Sequence, residues 1–275
     1  MNAARSFVRH TARSARGQWR RVGRLDLFLR AVAGMVGLST IIGLLVHGRA
    51  PQRRMTVDIG PIRGLPTLLD VETVEGLTAT ARTSSVVFGI VALAVTASVI
   101  GGDYDHGTIR LWLVRQADRR AHVTGLTASL TGLLVAAYTP AFLVSLPVSF
   151  GLAAWRGIDT GAWTSADAVG SAAGAWLGGA AAVVTWVVIG AAVAALTRSA
   201  ALTITTMTTT VVLESIVSSA WASSERWLPE TTLANLAVGG SPTQSQGAAL
   251  ALAVAYGAVA LVAALATVAR RDVNE

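Results

Sequence analysis

Six long apolar runs, separated by charged segments, dominate the pattern of this chain. They lie at about 27–46, 83–101, 123–153, 168–196, 199–220 and 247–269. A hydrocarbon core of ~30 Å takes about 20 helical residues to cross at 1.5 Å each, so each run has the length of one crossing. In lipid a helix satisfies all its own backbone groups, and a single run has no strand partner with which to close a barrel. The pattern therefore predicts an all-α integral membrane protein, residues 1–275 forming a single transmembrane domain of six helices. Pro140 and Pro147 fall in the third run and predict a kink or a break towards its far end. Gly170, Gly174 and Gly178 recur four apart in the fourth and predict a face that a neighbouring helix could approach closely.

Ahead of the first run, Arg5, Arg9, Arg13, Arg16, Arg20, Arg21 and Arg24 are spaced mostly three to four apart with no acid among them. At helical periodicity they form a basic stripe, with Phe7, Val8, Trp19 and Val22 available to dip into an interface. Residues 1–26 are therefore expected to form an interfacial amphipathic helix lying on membrane lipid. The apolar run that follows has no small-residue cleavage site and leads into further spans, which argues against a signal peptide. A polar segment at 47–82 holds Pro51, Pro61 and Pro66, and the segment at 102–122 is dense in charge.

Composition sharpens this picture. The chain is 53% hydrophobic and 13% charged, against about 25% charge in an ordinary soluble domain. It has no cysteine, which excludes disulfides, thiolate metal sites and thiol nucleophiles. Its 22 basic residues are all arginine, so neither a phosphate-gripping G-x-x-x-x-G-K-[ST] loop nor a Schiff base can be written. If ATP drives this protein, another chain binds it. The net charge of +7 does not mark a nucleic-acid binder, because the arginines sit between apolar runs and not on a soluble module. With even-numbered spans both termini share a side, and that side carries roughly twice the arginines of the other, which places both termini in the cytoplasm. The expected location is a bacterial inner (plasma) membrane.

The segment Gly102 to Leu126, GDYDHGTIRLWLVRQADRRAHVTGL, resembles a recurring element of type-2 ATP-binding-cassette exporter permeases. Asp103 or Asp105 stands at the acidic position, Gly107-Thr108 is the Gly-Thr pair, Ile109 to Val114 the amphipathic run, and Arg119 or Arg120 the base. The family often has Pro before the base and Lys soon after; this chain has Gln116-Ala117 and Leu126. Trp227-Leu228-Pro229 resembles the family's extracellular Leu-Pro element, and Arg270-Arg271-Asp272-Val273 its closing Arg-Arg-Asp. The resemblance implies a cytoplasmic coupling helix between the second and third spans. Asp103, Asp105, Gly107, Thr108, Ile109, Arg110, Leu111, Trp112 and Arg119 would engage the ATPase, with Ile109, Leu111, Trp112 and Leu113 supplying an apolar knob, partly exposed in the isolated permease, and Gly107-Thr108 starting the helix as turn and cap. It further implies a non-catalytic subunit without a cofactor of its own, ATP and Mg being held by two ATPase subunits. A second permease copy or a sister permease would complete the path, for an amphipathic or hydrophobic cargo such as a drug, peptide antibiotic or lipid.

Glu214 is the acid set deepest in an apolar run, sharing its span with Thr205 and Thr209 among other threonines. A carboxylate within a membrane faces a cavity or pairs, so these three residues are expected to line the path, with an outer-end carboxylate as the alternative for Glu214. His10, His47, His106 and His122 show no metal-ligand spacing and read as solvated loop residues. Paired acids and Ser-His sets are absent from the spans, which disfavours an intramembrane enzyme. A secondary transporter would show inverted repeats with several ionisable residues. A membrane anchor or immunity protein that recruits partners without transport is the competing reading.

Overall fold

The computed structural model describes residues 2–22, 25–48, 58–59, 62–63, 71–109 and 118–270. Helix α1 spans Asn2–Val22 and α2 Leu25–Gly48. Helix α3 spans Gly76–Thr96 and runs on through a π-helical turn, Ala97–Gly101, into a last turn, Gly102–Asp105. Helices α4 (Arg119–Arg156), α5 (Ala166–Thr197) and α6 (Ala200–Ala220) follow. A short α7 (Pro229–Val238) and α8 (Gln246–Arg270) complete the described helices. Two hairpins of two-residue strands, β1 (Asp58–Ile59) with β2 (Ile62–Arg63) and β3 (Gly240–Ser241) with β4 (Gln244–Ser245), sit in connections.

Six of these helices, α2, α3, α4, α5, α6 and α8, are long and apolar enough to cross a membrane, and the chain is an all-α, multi-pass membrane protein. The end of α3, the start of α4, the end of α5 and the start of α6 gather at the end of the bundle that holds α1, the near end, and the end of α2 and the starts of α3 and α5 at the other, the far end. Helix α4 is the axle, with α1 and α2 packed along it, while α3 packs on α5 and α5 on α8. The main core gathers Met35, Phe88, Leu130, Leu134, Tyr138 and Val183. A second cluster joins Trp186 and Met207 to Leu233 and Leu236 of α7.

Several boundaries differ from the sequence pattern. The second span begins at Gly76, not at 83, because Thr78, Thr80 and Ser84 are buried by neighbouring helices and bond internally, so their polarity does not mark the end of the helix. Helix α1 is described as far as Val22, and α2 opens at Leu25. The third span runs unbroken from Arg119 to Arg156 with Pro140 and Pro147 inside it. In the fourth span a side-chain carbon at Gly170 or Gly174 would meet nothing within 4 Å, whereas one at Gly178 would meet the backbone of α7 at Leu236. Helix α7 itself is an element that the hydropathy pattern does not announce. The turn after α5 is tight: Arg198 takes a left-handed conformation, φ 56°, and α6 begins two residues later.

Candidate functional site

At the near end, the π-helical turn closes α3 against the start of α6. A side-chain carbon at Gly101 would meet the Ala200 backbone at 2.5 Å, so only glycine lets the two backbones touch. Four residues on, the Asp105 carboxylate accepts a hydrogen bond from the Ala200 N–H at 2.9 Å. The N-cap residue of α6, Ser199, makes no side-chain cap of its own, so Asp105 fills that place from another helix.

Asp103 points the opposite way and is buried, 2% exposed. Its Oδ1 accepts from the Thr108 hydroxyl at 2.9 Å. The chain can return this far because Gly107 adopts φ +66°, the left-handed region where a β-carbon is costly. The hydroxyl of Thr108 is therefore turned back to Asp103, whose main-chain carbonyl it also reaches at 3.2 Å. On the other side of the connection, Asp118 caps α4, its carboxylate accepting from the N–H groups of Arg120 (3.1 Å) and Ala121 (3.2 Å), and Arg119 is the first residue of that helix. The connection thus starts from a clasp and ends in a capped helix.

The structure brings Asp103, Gly107 and Thr108 together, sends Asp105 to α6, and leaves Arg119 at the start of α4. Arg110, Leu111 and Trp112 lie outside the described residues, as do Arg271, Asp272 and Val273. Ile109 is 6% exposed, so the exposed knob expected from 109 onward does not include it.

At the far end, α7 lies in a seat made by α3, α5 and α8. Leu233, Leu236 and Ala237 are its buried face. Glu214 reaches it from α6: its Oε2 accepts from the Glu230 N–H at 2.7 Å, in the first turn of α7 just after Pro229. At the other end of α7, Arg82 of α3 donates to the Val238 carbonyl at 2.9 Å, to the Ser171 hydroxyl at 2.9 Å and to Glu75 at 3.1 Å. Gln244 donates to the Arg226 carbonyl at 3.1 Å, Asn235 donates to Gln244 at 2.8 Å, and Tyr256 of α8 donates to the Trp227 carbonyl. A crevice between α3, α5, α6 and α7 is lined by Ser85, Ile90, Trp186, Val211, Glu230 and Ala234.

The three path candidates do not share a face. Thr205 and Thr209 are exposed, whereas Glu214 is buried against α7. Nine residues separate 205 from 214, which is about 180° around a helix of 3.6 residues per turn. The histidine reading also changes. His47 is fully buried, its Nδ1 paired with the Thr80 hydroxyl at 3.2 Å and its ring edge-on to Trp163, and His122 is fully buried at the near end of α4. Helix packing covers both, which position near the end of a span does not reveal. Among the described residues, no three His, Asp or Glu side chains are grouped so as to hold a metal ion.

Arg82 is the residue that the hydropathy pattern passes over, because it reads as the last charge of a polar segment. Its signal was position: it stands seven residues into a helix whose start the buried threonines conceal. Pro229 followed by Glu230 was a legible helix start, proline at the first position and an acid in the first turn. No family model matches the chain, and neither does any curated protein.

Proposed function

We propose that this chain is the membrane-spanning permease subunit of an ATP-driven exporter of the ATP-binding-cassette type, coupled through its α3–α4 connection to two separate ATPase subunits. The observation that carries the reading is the near-end clasp. Asp103, Gly107 and Thr108, the residues through which the segment resembles the exporter permeases, form one closed turn at the end of a span. Through Asp105 and Gly101 that turn is bound to α6, and through Asp118 the same connection re-enters α4. A segment fixed at both ends between spans passes displacement to them without bending, since a loosened end would expose buried apolar surface.

The rest of the reading follows the same topology. The near end is the cytoplasmic side of a bacterial inner membrane, as the arginine bias requires. Helix α1 lies at the lipid interface, with Arg9, Arg13 and Arg16 exposed and Ser14 packed against Gly125 of α4. Helices α6 and α8 are little covered within one chain. Thr205 and Thr209 lie on the uncovered face of α6, a hydroxyl-bearing surface suited to line a path completed by a second permease copy or a sister permease. The cargo is amphipathic or hydrophobic. ATP and Mg belong to the partner chains.

Purification from native membranes with an affinity tag tests the proposal. A chain bearing a G-x-x-x-x-G-K-[ST] loop is expected to accompany the permease in stoichiometric amount. Recovery of the chain without any ATPase, under conditions that keep other membrane complexes intact, would favour the membrane-anchor reading.

A further inference from the structure

Helix α7 is ten residues long and is held at its two ends by side chains of opposite charge from two different spans. The carboxylate of Glu214 accepts from an N–H of its first turn, and the guanidinium of Arg82 donates to the carbonyl of its last residue. Both placements match the helix dipole, positive at the N-terminus and negative at the C-terminus. Both side chains are substantially buried, Glu214 at 8% and the Arg82 side chain at 15% exposed. On either side α7 is flanked by short irregular connections. A 3-10 turn at Ala222–Arg226 leads in, and Gly239 and Gly240, at φ +93° and +109°, lead out.

We propose that α7 is a hinged crossbar across the far end of the bundle, locked by Glu214 of α6 at its N-terminus and by Arg82 of α3 at its C-terminus, and that it leaves its seat when α3 and α6 move apart. The two locking residues belong to different helices, so separation of those helices must break one lock or the other. The same two helices meet at the near end, where Asp105 and Gly101 of α3 hold Ala200 of α6. A displacement that begins at the clasp therefore acts on the pair of helices that holds α7. Arg82 and Glu214 are positioning residues that act through α7. The crossbar stands on the far-end geometry alone; only its use as an outer gate rests on the exporter reading.

The absence of cysteine gives a direct test. Ala237 faces the seat and is fully buried, while Ala141 is fully buried in the core of α4. Single cysteines at these positions, and at exposed Thr243 as a reference, are reacted with a hydrophilic maleimide in open membranes, where sidedness does not matter. Ala237→Cys should react slowly. Adding Glu214→Gln or Arg82→Gln should accelerate it roughly tenfold, the effect of losing one charge-assisted hydrogen bond. Ala141→Cys should remain protected and Thr243→Cys unchanged. No acceleration at Ala237→Cys, or acceleration at Ala237→Cys and Ala141→Cys together, would overturn the crossbar; the second result would make the two residues props of the whole fold. If the glutamine variants do not accumulate, Glu214→Asp and Arg82→Lys serve, with about a threefold acceleration expected and none overturning the proposal. No ATPase enters this measurement. Release of α7 without an ATPase partner would remove the exporter and keep the crossbar, and a bound ATPase with α7 unmoved would do the reverse.

Discussion

Thr108→Val tests the near-end clasp with little change in volume. It removes the hydroxyl that donates to Asp103, whose carboxylate is 2% exposed. A hydrogen bond to a charged group contributes about 1.5–3 kcal/mol, and a donor lost to a buried carboxylate is replaced poorly by water. Taking about 1.5–2 kcal/mol, because Thr108 itself is half-buried, the open form of the turn should gain roughly ten- to thirtyfold, at 1.4 kcal/mol per factor of ten. Ile109, next in sequence to Thr108 and 6% exposed, is the position at which opening is read. An Ile109→Cys reporter, reacted with maleimide in open membranes, should therefore label roughly ten- to thirtyfold faster with Thr108→Val than without it. Ala141→Cys, in the core of α4, should show no change. An effect below about twofold at Ile109→Cys would refute the reasoning, because it would mean that the Thr108–Asp103 bond does not hold the turn shut.

Further outcomes follow from the packing and the topology. Gly101→Val places a branched side chain against the Ala200 backbone at 2.5 Å, and a loss of at least about 1–3 kcal/mol should appear as a lower thermal midpoint in detergent. Trp163→Ala removes a ring that packs on His47 and Phe150 and donates to the Val71 carbonyl, so about 3–5 kcal/mol should be lost by the same assay. In intact cells, Asp159→Cys and Thr243→Cys should react with an impermeant reagent and His10→Cys should not; the reverse pattern would invert the topology.

Much of the architecture was legible because lipid imposes a length and a polarity on each crossing, and the six runs carry both. Gly107, which the resemblance places in a turn, takes φ +66°, an angle that glycine reaches cheaply. Polar residues satisfied by tertiary contacts were not legible. Thr80 and His47 fall in the segment that reads as polar, yet they bond each other across two helices, and only the assembled bundle supplies those partners. Helix α7 escaped because one buried face on a ten-residue helix with Glu230, Thr231, Thr232 and Asn235 has too few apolar positions to stand out from a loop. The split between Glu214 and Thr205 was available from helical spacing, but composition drew them together as one polar set.

If the α3–α4 connection seats an ATPase, as we propose, ATP hydrolysis should travel with this chain and depend on that connection. ATP hydrolysis is assayed in material purified through a tag on this chain, for the unaltered chain and for Leu111→Asp and Trp112→Asp. Burying a side chain such as Leu111 or Trp112 at an interface contributes roughly 1.5–3 kcal/mol, so a charge there should cost the partner at least an order of magnitude in affinity. The account predicts ATPase activity with the unaltered chain and its loss from both variants, with the membrane yield of the permease preserved. Absence of ATPase from the unaltered preparation, or full retention in both variants, would contradict it.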